Sequence, residues 1–398
     1  MNDTNNPLTT LPEADESVSI DDIVGMADHS ENVLEKYRDK MLAPYPRKNA
    51  PTFSSSALAE LCGIDRARLK YLASKGTLPP GQSFGHGRSK TFTLEETIQW
   101  IVATSSRGKR PEGVRGRVYA IGNFKGGVAK TTTTVATAQA LTLRGRKVLL
   151  IDCDPQGSAT QLCGYAPETE VDDYKTLLPL FYGDQSNVEY AIHKTYWHNL
   201  DLIPATTYLA DADAALVAEL LKERRFEFWD VLNKGLQPIL DKYDVVLIDT
   251  PPQLSQITTN ALMAADAVVL PCPPDGMDFA SSTRFWRLFS EVAKRLPSVR
   301  DEKRYDFINI LMTKVKANEA STTVQGWMKL AYNVRVLPFS IPESTIQIGA
   351  ASMLSTVFDF AKSSFSSAAY ARIRQPYDQL ADHLDRKLVR SWAKESQQ

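Results

Sequence analysis

The stretch "GNFKGGVAKTTT" (Gly122–Thr133) decides which fold this chain can adopt. It follows the apolar segment "VYAI" and precedes a segment of helical character, and this order of strand, glycine turn and helix is typical of a phosphate-binding loop. The strict pattern G-x-x-x-x-G-K-[ST], ended at Lys130 and Thr131, requires glycine at the positions of Phe124 and Ala129. The loop therefore departs from the strict pattern, and an additional lysine, Lys125, stands directly before its glycine pair.

The residue types of this loop predict phosphate chemistry. The glycines let the backbone pass close to an anion, and the amides at the start of the next helix point towards phosphate oxygens. We expect Lys130 to pair with the β- and γ-phosphates and Thr131 to hold Mg²⁺. The alternative, an ordinary glycine-rich turn, is disfavoured by the Lys-Thr pair inside it. The loop residues predicted to bind nucleotide are Lys125, Gly126, Gly127, Val128, Ala129, Lys130, Thr131 and Thr132.

Acidic residues end two further apolar segments. "VLLIDCDPQGSAT" contains Asp152 and Asp154, and "YDVVLIDTPP" contains Asp249 after four apolar residues, which is a Walker B pattern. Open α/β sheets bind ligands at the carboxyl ends of their strands, so we expect Asp249 to bind the nucleotide's Mg²⁺ through water. An aspartate in this place could instead only cap the following helix.

From Arg117 onward, short apolar segments alternate with helical ones. The strand candidates are "VYAIGN", "KVLLID", "NLDLIPA", "DVVLID", "AVVLPC" and "DFINILM". This alternation predicts an α/β fold, a doubly wound and mostly parallel P-loop sheet with helices on both faces. We assign residues 113–398 to this ATPase domain.

Residues 1–45 are predicted to form a disordered start and a helix. The first 40 residues hold ten acidic and three basic residues, and residues 41–117 hold thirteen basic and five acidic ones. Ser19 is placed to cap the helix, with Asp21 and Asp22 in its first turn. Its apolar stripe must be buried either on its own domain or against a second copy, and we favour the second copy.

Residues 46–112 are predicted to form a small winged helix-turn-helix domain followed by a linker at Ser105–Gly116. Two short helices joined by "CGID", a hairpin in "GQSFGHGRSKTFT" and a closing helix follow one another in an order that resembles the MerR-type winged helix. The alternative is a helical domain whose bases only serve solubility. The predicted DNA-binding residues are Arg66, Arg68 and Lys70 on the second helix and Arg88 and Lys90 in the wing.

The lysine before the glycine pair makes the loop similar to the deviant Walker A motif, K-G-G-x-x-K-[ST], and the Asp152 segment resembles the D-x-D-P-Q-G motif of the same proteins. The whole set resembles the ParA partition ATPases of the long subclass, over almost the full chain. The resemblance implies a homodimer in which Lys125 reaches the partner's nucleotide, Asp152 lies near Mg²⁺ and Asp154 orients the attacking water. The implied catalytic residues are Lys125, Lys130, Asp152 and Asp154, and the implied metal-binding residues are Thr131, Asp152 and Asp249.

The resemblance also implies a function and partners. It implies a weak intrinsic ATPase that uses ATP/ADP and Mg²⁺ to segregate a plasmid or secondary chromosome. The ATP-bound dimer binds DNA without sequence preference, a ParB-type partner stimulates hydrolysis, and the winged helix represses the operon. The location expected is cytoplasmic and nucleoid-associated. The alternative is an ATP-switched repressor without a segregation role.

One segment departs from the family. Relatives often carry an arginine after the "IP" of a late loop for DNA contact, whereas "SIPESTIQIGAAS" (Ser340–Ser352) has no base. Non-specific DNA contact could instead come from the C-terminal segment, through Arg372, Arg374, Lys387 and Arg390, unless these lie on a solvated helix face.

Other classes fit less well. No apolar run reaches the roughly 18 residues of a membrane helix, and the tail "KESQQ" does not resemble the amphipathic anchor of MinD-like ATPases, so no membrane partner is expected. The four cysteines show no C-x-x-C spacing, which disfavours an Fe–S or zinc protein and predicts a reduced, cytosolic chain.

Overall fold

The computed structural model describes residues 18–42, 48–83, 90–223, 226–296, 302–360 and 366–397. The chain divides into two compact units between Lys48 and Asn49. The described part of the first unit is helix α1 (Ile20–Leu42). Ser19 Oγ accepts a hydrogen bond from the Asp22 amide (3.1 Å), and the Asp22 carboxylate accepts one from the Ser19 amide (2.8 Å). The predicted cap is therefore present, whereas the predicted disordered start lies outside the described residues.

The second unit begins with a small helical region closed by a three-stranded antiparallel sheet of order β1-β3-β2. Asp65 caps the second of its helices by accepting from the Arg68 amide, and the buried side chains of Leu58, Leu69, Phe92 and Trp100 form a core. The predicted tip of the wing, with Arg88, lies outside the described residues. The elements are β1 (Phe53–Ser54), α2 (Ser55–Cys62), α3 (Arg66–Ser74), β2 (Gln82–Ser83), β3 (Lys90–Phe92) and α4 (Leu94–Thr104).

The remainder of this unit is built on an eight-stranded sheet of order β11-β10-β9-β4-β8-β5-β7-β6. Every neighbouring pair is parallel except β6 and β7, so the predicted α/β class with a mostly parallel sheet is confirmed. The strands are β4 (Arg117–Ile121), β5 (Val148–Asp152), β6 (His193–Lys194), β7 (Leu200–Ile203), β8 (Val245–Asp249), β9 (Ala267–Cys272), β10 (Phe307–Val315) and β11 (Val336–Pro342).

Helices cover both faces of this sheet, which explains why its central strands are apolar throughout rather than alternating. In β4, Tyr119 and Ile121 join the core on one face, and Val118 and Ala120 join the core on the other. The helices are α5 (Lys130–Thr142), α6 (Ser158–Leu162), α7 (Leu178–Phe181), α8 (Asp211–Lys222), α9 (Val231–Leu236), α10 (Gln256–Ala264), α11 (Gly276–Lys294), α12 (Glu319–Tyr332), α13 (Thr345–Ser352) and α14 (Ser367–Glu395).

The predicted linker is docked on α14 by arginine–aspartate pairs. Asp385 accepts from Arg146 (2.6 Å) and from Arg107 of the linker (3.0 Å), and the side chains of Arg146 and Asp385 are only 6% and 3% exposed. Gly108 lies so close to Val389 that an added Cβ would be 2.7 Å from a Val389 methyl group. The connection between the two regions is therefore part of the packed structure.

We expect the replacement Asp385→Ala to lower the free energy of unfolding by about 3 kcal/mol, because it leaves the Arg146 guanidinium buried without its carboxylate. The control Glu291→Ala removes the carboxylate of an exposed pair with Arg287, whose side chains are 81% (Arg287) and 50% (Glu291) exposed, and its loss should be at most about 1 kcal/mol. Chemical denaturation of both variants measures the difference. Equal losses in the free energy of unfolding would show that burial of the Arg146–Asp385 pair does not increase its contribution to stability.

Candidate functional site

The phosphate loop joins the end of β4 to the start of α5 through two residues of positive φ. Gly127 has φ 73°, and Ala129, the residue before α5, has φ 70°. Ala129 thus adopts the left-handed conformation that a glycine, the residue of the strict pattern, takes without a Cβ penalty. The departure from the pattern is accommodated by backbone strain, and the path of the loop is retained.

Lys130 is buried at the base of the loop. Its side-chain nitrogen donates to the Lys125 carbonyl (2.9 Å), and burial lowers the pKa of its ammonium against the opposing charges of Asp249 and Asp154. The Thr313 hydroxyl donates to the Val128 carbonyl (2.9 Å) from β10. Lys130 thereby closes the loop on itself, and Thr313, a contact that the sequence did not suggest, ties the loop to the sheet.

Two carboxylates lie side by side at the carboxyl ends of neighbouring strands, next to the start of the loop. Asp152 and Asp249 occupy paired positions of β5 and β8, and both are fully buried. Asp249 accepts hydrogen bonds from the hydroxyls of Thr131 (2.7 Å) and Thr134 (2.8 Å). Desolvation, first of all, raises the pKa of both carboxyls, and each is close enough to another aspartate for repulsion to add to the shift. This pair of buried carboxylates therefore favours the binding of a cation between or beside them.

Asp152 is turned towards its own loop. Its carboxylate accepts from the Thr160 amide and hydroxyl (2.8 Å each) and from the Asp154 amide (3.1 Å). Asp154 lines the cavity described below, and burial raises the pKa of its carboxyl. Asp152 thus holds the segment that places Asp154 at the cavity.

The donor set suits Mg²⁺ bound together with phosphate. No cluster of three or more His, Cys, Asp or Glu residues with metal-binding geometry occurs within the described part of the chain. The Thr131 hydroxyl, Asp249 and Asp152 supply a few oxygens, and Mg²⁺ in phosphate loops takes its other ligands from water and phosphate oxygens. The side chains present fit a magnesium–nucleotide complex better than an isolated metal ion.

A cavity of about 590 Å³ opens over the loop. One wall consists of Gly126, Gly127, Ala129, Lys130, Thr131 and Thr132 with Asp154, which brings together six of the eight predicted loop residues; Val128 is buried behind them. The opposite wall comes from β11, α13 and α14, and it includes Ile341, Glu343, Gln347, Leu354 and Tyr377. Part of this wall is the segment Ser340–Ser352, which the sequence indicates only as a loop that lacks the relatives' DNA-contact base; its place in the cavity depends on the fold, which brings it opposite the glycines.

Lys125 lies at the mouth of the loop and does not line the cavity. Its ammonium pairs with Asp278 of α11 at 2.6 Å, and its amide donates to Asn123 Oδ1 (3.1 Å). Within a single chain, then, the second lysine is directed to a carboxylate of its own subunit.

The predicted DNA-binding residues of α3 lie on its exposed surface. Arg66, Arg68 and Lys70 are exposed, whereas the Lys90 ammonium donates to the Pro80 carbonyl (2.7 Å). Tyr71, which the sequence did not suggest, is 50% exposed and lies beneath two cations, with Arg68 and Lys75 at 5.4 and 4.8 Å from its ring centre. The signal that could have identified it is its spacing, three residues after Arg68 and four before Lys75 on one short helix.

The basic residues of α14 divide into two groups. Arg374 is partly buried, pairs with Asp378 and stacks on Phe358, and the Lys387 ammonium lies over the Phe307 ring. Arg372 and Arg390 are exposed, and Arg390 lies between Arg386 and Lys394, two exposed bases at helical spacing that the sequence analysis omitted. Burial first, and then the charges of Lys387, Arg386 and Arg390, lower the pKa of His383 to about 4.

We expect Gly127→Ala and Ala129→Gly to change stability in opposite directions. A Cβ at Gly127 would meet nothing within 4 Å, so the positive φ alone should cost about 1–2 kcal/mol. At Ala129 the change to glycine removes the Cβ that makes a positive φ unfavourable, and this should stabilise the protein by up to about 1 kcal/mol. The gain is smaller than the cost at Gly127 because glycine has more conformational freedom in the unfolded chain, which offsets part of it. Thermal unfolding measures both. Destabilisation by Ala129→Gly would show that the loop strain assigned to φ is absent.

Residues 116–301 match the protein family described as an AAA domain. The chain is 28% identical over 382 residues to the putative replication protein A of Rhizobium rhizogenes, spanning 92% of this chain and 94% of that protein. It is 29% identical over 293 residues to protein SopA of Escherichia coli strain K12, spanning 72% and 74% of the two chains. Over 166 residues it is 37% identical to the chromosome partitioning protein ParA of Myxococcus xanthus strain DK1622, spanning 42% of this chain and 55% of that protein.

Two solved structures share the fold. A partition protein, 20% identical, superposes with a TM-score of 0.64 over 92% of this chain and 98% of its own. A cobyrinic acid a,c-diamide synthase from Mycobacterium smegmatis with bound ATP analog and magnesium, 28% identical, gives a TM-score of 0.53 over 68% of this chain and 94% of its own. No helix in the described ranges is both long and apolar enough to cross a bilayer.

Proposed function

Because the chain belongs to the ParA family, we propose that it is a DNA-partition ATPase that binds ATP with Mg²⁺ and acts as an ATP-bound dimer. The observation that carries the proposal is the cavity in which a lysine-bearing phosphate loop faces Asp154 and adjoins the buried Asp152 and Asp249 pair. Relatives that are replication and partition proteins support the biological role.

The residues of the cavity have distinct roles in this proposal. The loop amides and Lys130 bind the phosphates at the start of α5, where the helix dipole favours negative charge. The Thr131 hydroxyl binds Mg²⁺, with Asp249 and Asp152 holding its waters, and the metal neutralises phosphate charge when bound. Asp154 orients the attacking water. The opposite wall, with the apolar Ile341 and Leu354 and the polar Gln347, holds the nucleobase.

Lys125 acts on the nucleotide of the partner subunit. A cation supplied across an interface stabilises phosphate charge only in the dimer, so nucleotide binding and assembly become coupled. The position of Lys125 at the mouth of the loop, outside the cavity lining of its own subunit, supports this role.

We expect Lys130→Ala and Lys125→Ala to separate nucleotide binding from dimerisation. Lys130→Ala should weaken ATP binding at least about tenfold, because it removes a charge-assisted bond to the phosphates. Lys125→Ala should leave binding to the monomer unchanged and lower both ATP-induced dimerisation and hydrolysis at least about tenfold. Lys222→Ala, on the exposed surface of α8, is the matched control.

Calorimetric ATP titration, sedimentation with a non-hydrolysable ATP analogue and phosphate release measure these effects. Normal ATP affinity of Lys130→Ala would contradict the phosphate-loop assignment. A Lys125→Ala variant that dimerises and hydrolyses normally would remove the trans role.

We further propose that the region 46–112 binds an operator through α3 and so represses the protein's own operon. The exposed bases of α3 and the cation-flanked Tyr71 support this surface. The DNA-bound dimer uses the exposed Arg386, Arg390 and Lys394 of α14 for contacts without sequence preference, and a ParB-type partner stimulates hydrolysis. The replicon served is a plasmid or a secondary chromosome.

We expect Arg68→Ala and Tyr71→Ala each to weaken binding to DNA from upstream of the gene about tenfold, with little effect on unrelated DNA, because base contacts carry the sequence information. Glu60→Gln, an exposed change on α2, is the control. Footprinting and binding at two salt concentrations separate lost base contacts from lost phosphate contacts. Unchanged operator affinity for both variants would exclude α3 as the reading helix.

A second function, an ATP-switched repressor without a segregation role, is favoured by one contact. Gly145, at the turn that ends α5, packs against Val102 of α4, so the helix that begins at Lys130 ends against the winged region. In this second proposal, nucleotide binding at one end of α5 acts through this contact on the DNA-binding region at the other end. Loss of promoter repression with normal plasmid stability in a null mutant would favour this function over partition.

A further inference from the structure

The lysine assigned to the partner's nucleotide is already paired within its own subunit. Lys125 Nζ lies 2.6 Å from Asp278 Oδ1, and the two side chains are 36% and 13% exposed. Asp278 stands in the first turn of α11, where the helix dipole stabilises its charge. The carboxylate is thus the more buried member of the pair, and the lysine is the more exposed one.

The same segment of the loop is attached to α11 and the preceding strand at two more points. Asn123 donates to the Pro271 carbonyl (2.8 Å) at the end of β9, and the Phe124 ring packs on Phe285 of α11 with centroids 4.4 Å apart. Residues 123–125 therefore contact α11 both in its first turn, at Asp278, and in its middle, at Phe285.

A single ammonium cannot keep its close contact with Asp278 and also neutralise a phosphate of another subunit. Phosphate carries more charge than one carboxylate and binds ammonium strongly, so the partner's nucleotide competes with Asp278 for Lys125. Without the partner, the carboxylate prevails because it is already adjacent.

We propose that Asp278 is a positioning residue that holds Lys125 within its own subunit and so sets the threshold for ATP-induced dimerisation. This inference rests on the proposed function and adds its regulation. On dimerisation Lys125 exchanges Asp278 for the partner's terminal phosphates, and the uncovered Asp278 carboxylate alters the start of α11. Two such exchanges occur in each symmetric dimer, so a modest effect of each one on the dimer dissociation constant is multiplied by the other.

Asp278→Asn tests the inference, since asparagine keeps the shape and removes the charge. In the full chain with a non-hydrolysable ATP analogue, the dimer dissociation constant measured by sedimentation should fall about tenfold, with no change for the ADP-bound or nucleotide-free protein. Asp275→Asn is the matched control: it removes a charge three residues earlier but keeps a side chain able to cap α11 at the Met277 amide. It should leave the constant unchanged.

The double variant Asp278→Asn with Lys125→Ala should dimerise no better than Lys125→Ala alone, which a purely structural role of Asp278 would not predict. Asp278→Glu should restore the behaviour of the original protein. Should Asp278→Asn not fold, Asp278→Ser provides the same loss of charge in a residue suited to a first helical turn.

Dimerisation of Asp278→Asn that is equal to or weaker than that of the original protein would overturn the inference, because it would mean that the carboxylate has no effect or presents Lys125 to the partner. This failure is distinct from that of the proposed function. If the original protein stays monomeric with the ATP analogue, the proposed function fails. If the original protein dimerises and Asp278→Asn dimerises equally well, only the role of Asp278 in holding Lys125 fails.

Discussion

The burial of α5 is the constraint on which the rest of the structure depends. Eleven of its thirteen residues are buried, between the sheet on one side and α14 on the other, although many of them are polar. Such a helix is stable only where most of its hydroxyls and amides find partners, and the buried Thr137 hydroxyl is an exception that has none among the described residues. Thr134 binds Asp249, Thr142 accepts from Trp197, and Gln139 binds Thr356 and Tyr196. These contacts fix the start of α5, and with it the phosphate loop, relative to the carboxylates of β5 and β8.

The sequence predicted much of this arrangement because the signals are local. A glycine turn before Lys130, and aspartates at the ends of two apolar segments, follow from patterns of a few residues, and parallel pairing then brings the ends together. The short β6 and the edge strand β11 were missed. The first has two residues, and the second contains Pro338 and Pro342, which suit an edge position but disguise a strand.

The parts that escaped prediction are those set by contacts between distant segments. Thr313, Thr134 and the far wall of the cavity have no motif, and only the packing of β10, α5 and α13 places them. The orientation of the basic residues in α14 could not be predicted from the sequence either. Arg374, one of the candidates for DNA contact, is partly buried and stabilises the helix through Asp378 and Phe358. Arg386 and Lys394 are exposed instead. A basic residue in an amphipathic helix does not reveal its orientation until its neighbours are known.

The docking of residues 105–116 on α14 has a geometric consequence. A freely swinging tether would let each winged region find its own DNA site, but Arg107 and Gly108 hold this segment against the ATPase body. In a two-fold dimer, the separation of the two α3 helices is then dictated by how the ATPase bodies face each other. If region 46–112 reads an operator, as we propose, the spacing of the half-sites along the duplex would match that separation and so report the assembled state.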